Sequence, residues 1–130
     1  MAPPICPLCT LPAGALVAGN DRAVAVRDIA PVAPLHTLVL PRLHIADYFD
    51  LDVAEREAIA GLLADCRRDI LVRDPAVAGF NIAINLGAAA GQTVLHCHVH
   101  LLPRRPGDAA AAVLDGPRKQ LLPHLPDQRS

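Results

Sequence analysis

His96-Cys97-His98-Val99-His100-Leu101-Leu102 is the stretch on which the reading of this chain turns. In an extended strand, successive side chains point to opposite faces. His96, His98 and His100 then share one face, while Leu95, Cys97, Val99 and Leu101 share the face that a core takes. Three imidazoles side by side concentrate a group that serves as nucleophile, as acid or base near neutral pH, and as metal ligand. The plain alternative is a histidine-decorated surface strand or a tag-like chelator. Tags lack the apolar alternation that seats a strand in a sheet.

Just before this stretch, Phe80, Ile82, Ile84 and Leu86 alternate with Asn81, Ala83 and Asn85, which predicts a second half-buried strand. Its connection to the histidines, Gly87-Ala88-Ala89-Ala90-Gly91, is short, so the two strands pair antiparallel and bring Asn85 to the histidine face. Glycines there permit close backbone approach to a phosphate, and Gln92 and Thr93 add polar groups. Taken alone, such a loop is more often a plain hairpin turn.

Further upstream, residues 23–27 and 37–40 read as strands, joined by the proline-punctuated segment 28–36 and stopped by Pro41. Asp52 with Glu55 three residues on forms a capping-box signature. Ile59, Leu62, Leu63, Cys66 and Ile70 then recur at helical spacing, and Pro75 follows the helix. Cys66 falls on the apolar stripe and Cys97 on the apolar side of its strand, so both read as core residues.

Cys6 and Cys9 have the spacing of a zinc knuckle or of a redox dithiol. A closed zinc site needs two more ligands, and His44 with one member of the triple histidine could supply them. A thioredoxin-like pair would sit at the end of a strand entering a helix, whereas Pro12 and Gly14 follow here. An unliganded pair is the third possibility.

At 130 residues the chain predicts one domain with one core. It is 52% hydrophobic but holds no Trp, one Tyr and two Phe, so small aliphatics build that core. A net charge of -1 predicts no strong pull toward nucleic acid or an anionic membrane. No apolar run reaches the ~20 residues that span a bilayer. The start Met1-Ala2-Pro3-Pro4 lacks the pattern of a signal peptide, so a cytoplasmic location is expected, where four cysteines serve as thiols or metal ligands. The excess of Arg over Lys and the many alanines read as a composition bias of the genome. Residues 106–130 read as a loosely held tail, with His124 exposed in it.

The histidine stretch resembles the signature of the histidine triad (HIT) family, His-φ-His-φ-His-φ-φ with φ apolar. Asp28-Ile29-x-Pro31-x-x-Pro34-x-His36-x-Leu38-Val39-Leu40-Pro41-Arg42-x-His44 resembles a second landmark of that family. Ala90-Gly91-Gln92-Thr93-Val94 and Pro103-Arg104 resemble two more, and the likeness runs from about Cys6 to Arg104. It implies an α+β fold over residues 1–105: an antiparallel sheet of about five strands with one long helix and a short one. It also implies a homodimer joining two sheets, and cleavage of a substituent from the α-phosphate of a purine nucleotide.

By the same resemblance, His98 is the nucleophile that becomes nucleotidylated, and His100 and His36 handle phosphate contacts or protons. Asp28 holds the ribose hydroxyls. Asn85, Gly91, Gln92 and Thr93 contact the phosphates, with Thr93 standing where many relatives have Ser. In the zinc-bearing bacterial branch, the positions of Cys6, Cys9, His44 and His96 bind a structural Zn2+. His96 would then be fixed on the metal, leaving His98 free. A non-catalytic nucleotide- or partner-binding module on the same scaffold is the competing reading, and metal storage or sensing is a third. The leaving group and the base preference are not written in these residues.

Overall fold

The computed structural model describes residues 6–108. It contains a five-stranded antiparallel sheet in the order β1-β2-β3-β5-β4, with one long helix. The strands are β1 (Leu16–Gly19), β2 (Ala23–Arg27), β3 (Thr37–Pro41), β4 (Gly79–Ile84) and β5 (Val99–Arg104). The helix α1 (Val53–Arg73) connects β3 to β4. The remaining helical pieces are single 3-10 turns at Ala13–Ala15, Tyr48–Asp50 and Ala88–Ala90. Among the described residues no helix is long and apolar enough to cross a membrane.

The α1 start is the capping box read from the sequence. The Asp52 carboxylate accepts from Glu55 N at 2.7 Å, and the Glu55 carboxylate accepts from Asp52 N at 2.9 Å. Ile59, Leu62, Cys66 and Ile70 form its buried stripe, and Leu63 is half-buried. The stripe packs on Ala23, Ala25, Val39, Val99 and Leu101, where small β2 residues let the helix approach. Each large aliphatic buried there contributes about 2 kcal/mol. The opposite sheet face carries a second cluster, Val24, Val26, Leu38 and Leu40, partly covered by Leu8, Leu11 and Leu16. His100 pairs with Leu38 across β5 and β3, so it stands on this second face, away from the helix.

Three details differ from the sequence reading. β1 carries little signal, because it is a four-residue edge strand of alternating exposure, irregular between Leu16 and Ala18. Ile82 is 59% exposed, because β4 is the other edge and α1 lies chiefly across β2 and β3. The third concerns the histidines: β5 begins only at Val99, so the chain from His96 to His98 is not part of the ladder, and Leu95 is 59% exposed. Period-two alternation holds for Cys97, Val99 and Leu101, each 1% exposed, and breaks one residue pair earlier. The readings of residues 109–130, His124 included, lie outside the described residues.

Replacing the cap, Asp52→Ala, is expected to lower stability by about 1 kcal/mol. The check is a urea melt, in which the midpoint falls while the slope stays constant. An unmoved midpoint would show that the box adds nothing.

Candidate active site and metal centre

The β4–β5 register places Ala83 opposite His100 and Asn81 opposite Leu102. That alignment puts Ala83, Asn85, His100 and Leu102 on one wall of an open cleft. Asp28, Ala30, Val32 and His36, from the β2–β3 connection, form the other wall. The expected antiparallel pairing forms and brings Asn85 to the histidine face, although the connection runs over residues 85–98 and is longer than the glycine loop.

The proton positions follow from the partners. Val32 N donates to His36 Nδ1 at 3.1 Å, so in the neutral His36 ring the hydrogen sits on Nε2. That Nε2–H faces His100 Nδ1 at 2.9 Å and an Asp28 carboxylate oxygen at 3.4 Å. His100 therefore accepts at Nδ1 and carries its own hydrogen on Nε2. His98 Nδ1 lies 2.7 Å from the His96 carbonyl, which only accepts, so His98 donates there and keeps a lone pair on Nε2. The His98 and His100 ring centroids are 5.2 Å apart. In these tautomers one ring offers a lone pair and its neighbour offers an N–H.

Burial favours the neutral forms. It pushes the His100 pKa down to about 4, helped by the neighbouring His98 and His36 rings and opposed by Asp28. His36 is 2% exposed, and its pKa is lowered first by burial, against the pull of Asp28 and with the help of Arg104.

Asp28, His36 and His100 also lie close enough to share a metal ion. The tautomer argues otherwise. A metal on His36 Nε2 would need the proton moved to Nδ1, where the Val32 N–H already points.

The approach to His36 is unusual. Leu35 has φ +67°, a left-handed backbone rarely taken by leucine, at a cost of about 1 kcal/mol. The strain is held by neighbours: Thr37 Oγ1 donates to Leu35 O at 2.8 Å, and Arg27 donates to Thr37 Oγ1 at 2.6 Å. Arg105 donates to Pro34 O at 3.0 Å and to the Asp74 carboxylate, tying the same turn to the end of α1. None of Val32, Leu35 or Arg105 stands out in the sequence. A leucine at positive φ has no compositional signature, and a backbone amide has none at all.

The residues of the glycine loop are placed unequally. Gly87 and Gly91 have positive φ, +85° and +94°, and a Cβ added at Gly91 would meet the Asn85 amide at 3.6 Å. Gln92 is 5% exposed, and both ends of its amide are engaged: Gly87 N donates to Oε1 at 2.8 Å, and Nε2 donates to Ala46 O at 3.0 Å. Its backbone N–H is spent on Gly87 O. Thr93 is exposed. Gln92 thus braces the loop against the segment after β3.

His96 turns toward a different group. It is fully buried, and its Nε2–H donates to Pro41 O at 2.8 Å, leaving the Nδ1 lone pair toward the thiols. Nδ1 lies 3.6 Å from Cys6 Sγ and 3.5 Å from Cys9 Sγ, and Cys9 Sγ is 3.1 Å from His44 Nδ1. All four ligand atoms fall within 4.8 Å of one another. A tetrahedral zinc with ordinary Zn–S and Zn–N lengths has S···N edges of about 3.6 Å, so this donor set fits it. The backbone carbonyl behind His96 is the outer partner that metal-bound histidines use. Burial lowers the His96 pKa, opposed by the Pro41 carbonyl and aided by His44 and His98, which keeps the ring neutral as a ligand must be. The Cys9 thiol is raised by lost hydration and by Cys6 beside it, so a cation is what would draw off its proton. Cys66 and Cys97 are core thiols held up by burial, Cys97 to about 11.

Residues 13–107 match the HIT domain. An HIT-like protein of Synechococcus elongatus is 40% identical over 90 residues, 69% of this chain and 78% of that protein. A zinc-bound histidine triad family protein from Mycobacterium smegmatis superposes with a TM-score of 0.66 at 35% identity, covering 72% of this chain and 68% of that one. The diadenosine triphosphate hydrolase of Plasmodium falciparum superposes with a TM-score of 0.67 at 30% identity, covering 75% of this chain and 66% of that one. The match takes in the β2–β3 turn, the glycine loop and all three triad histidines, and on that ground this chain belongs to the HIT family.

Proposed function

We propose that this protein is a nucleotide hydrolase or transferase that cleaves a substituent from the α-phosphate of a purine nucleotide. The observation that carries the reading is the placement of two ring nitrogens, His98 Nδ1 against the His96 carbonyl and His100 Nδ1 against His36 Nε2. His98 Nδ1 is tied to a carbonyl, which frees Nε2 as the nucleophile. Attack by Nε2 on the α-phosphorus forms a P–N bond, and the leaving group departs with its bonding pair and takes a proton from solvent, which the attacking water of the second step returns. Water then attacks the phosphorus, the P–N bond breaks back onto His98, and the nucleoside monophosphate leaves. His100 Nε2–H donates to a phosphate oxygen, stabilising charge without reorganisation. Asp28 holds the ribose hydroxyls, and Asn85, Gly91 and Thr93 border the phosphates, with Gln92 keeping their loop in place. The hydrolase activity named for the Plasmodium relative supports this reading.

Cys6, Cys9, His44 and His96 would hold a structural Zn2+. When bound, the metal supplies a tether between the N-terminal turn and the triad. The open β4 edge, with Ile82 exposed, suits a homodimer that continues the sheet. The reading needs no nucleic-acid or membrane partner and places the enzyme in the cytoplasm.

His98→Ala is expected to fold normally and to lose turnover of adenosine phosphoramidates and dinucleoside polyphosphates by about 10³-fold or more. Rapid quenching of the native enzyme with substrate should trap a nucleotidylated histidine, identified by mass spectrometry. Wild-type activity in the variant would reject His98 as the nucleophile, and unchanged nucleotide after overnight incubation with the native enzyme would leave only a binding module.

For the metal, elemental analysis of the purified chain is expected to find about one zinc per chain. Changing Cys6 and Cys9 together to Ser should abolish it and lower the melting temperature, since the metal binds the folded form. A double variant that keeps its zinc would show that the ligands lie elsewhere.

Acid dependence of stability follows from the neutral histidines. His100 goes from an ordinary 6.5 to about 4 on folding, so between those values the unfolded chain binds a proton that the folded chain refuses. Stability is therefore full above pH 6.5 and is lost as pH falls toward about 4. In His100→Asn the slope of unfolding free energy against pH in that window should become shallower by up to one proton. An unchanged slope would contradict the assignment.

A further inference from the structure

One backbone amide sets which nitrogen of His100 carries a hydrogen. Val32 sits in the β2–β3 turn, where Asp28 N donates to His36 O at 2.9 Å and His36 N donates to Ala33 O at 3.1 Å. Asp28 itself braces the turn by accepting from Ala30 N at 2.9 Å. The Val32 side chain is 55% exposed and lines the cleft, while its N–H points inward to His36 Nδ1.

An imidazole pair joined by one hydrogen bond has two proton orders of similar energy. In the first, His36 Nε2–H donates to His100 Nδ1 and His100 keeps a hydrogen on Nε2. In the second, His100 Nδ1–H donates to His36 Nε2, and His100 is left with a lone pair on Nε2. Only the first presents an N–H to an anionic phosphate; the second presents a lone pair and repels it. An amide N–H is always a donor, whereas a hydroxyl or another ring in its place could reverse. The nearby Asp28 carboxylate, 3.4 Å from His36 Nε2, accepts only and favours the same order. The burial that keeps both rings neutral makes the choice of tautomer matter.

We propose that the Val32 backbone amide is a positioning group for the reaction. It fixes the proton order of the His36–His100 pair. The consequence for the phosphate rests on the nucleotide-cleaving reading above. The proton order is a property of the free protein and is measured without turnover.

The test is nitrogen-15 NMR of the full chain with labelled histidines, near neutral pH. In the native protein His36 and His100 should both be protonated at Nε2 and bare at Nδ1, with a through-hydrogen-bond coupling between the Val32 amide nitrogen and His36 Nδ1. Val32→Pro removes the N–H. It should give mixed or reversed tautomers at both rings, and kcat on an adenosine phosphoramidate should fall about tenfold or more, with a smaller change in KM. Val32→Ala keeps the N–H and should keep both tautomers. A native ring bearing its hydrogen on Nδ1, or a folded Val32→Pro chain with native tautomers, overturns the proposal. Should Val32→Pro not fold, the native pattern and the coupling decide, and a missing coupling overturns it. If the proton order is wrong while the nucleotidyl adduct still forms, this inference fails and the proposed function stands. If no adduct forms, the proposed function fails whatever the tautomers.

Discussion

His96 is the residue on which the rest of the site leans. Its Nε2–H is fixed by the Pro41 carbonyl, its Nδ1 faces Cys6 and Cys9, and its own carbonyl accepts the His98 Nδ1–H. Through its ring and its backbone carbonyl, one buried residue therefore meets β3, the N-terminal turn and His98 at once. This matters because residues 96–98 lie outside the ladder, where no strand partner holds them. Cys97 N donating to Ile45 O at 2.7 Å and Gln92 Nε2 donating to Ala46 O add two more ties to the same segment after β3. The stretch that would do chemistry is held by individual bonds to residues 41–46, in place of a sheet.

The electrostatics favour neutral rings, buried at His36 and His96 and half-buried beside the cleft at His100. No buried side-chain nitrogen or oxygen among the described residues lacks a partner. Each of the four central histidines has at least one ring nitrogen committed to a group of fixed character: an amide, a carbonyl or another committed ring. Tautomers then follow from geometry, because burial has removed the charged form from competition at His36, His96 and His100. The strained Leu35 turn belongs to the same economy. A left-handed leucine is tolerated because Thr37, Arg27 and Arg105 tie down the backbone that presents His36.

Much of this was legible in the chain. The capping box, the helix stripe and the strands β4 and β5 rest on local periodicity, which sequence reports well, while the pairing of those strands holds across residues 85–98, a connection longer than the glycine loop alone suggests. Period-two reasoning failed where the ladder ends. Alternation puts Leu95 on the core face, yet it is exposed, because alternation applies only to residues that are paired. Gln92 looked like a phosphate contact from its place in a glycine loop. The structure shows its amide consumed at both ends, a fact that depends on Ala46, 46 residues away.

The sequence by itself determined the helix, the strands β2 to β4 and the identity of the chemical groups, because these depend on neighbours within a few positions; β1 and the start of β5 carry no such local signal. The division of the triad was decided by tertiary structure. Which imidazole faces thiols, which keeps a free lone pair and which carries a hydrogen toward the cleft are set by Pro41, Val32 and the carbonyl of His96. These are backbone atoms that every residue possesses, so their roles appear only once folding has put them opposite a particular ring.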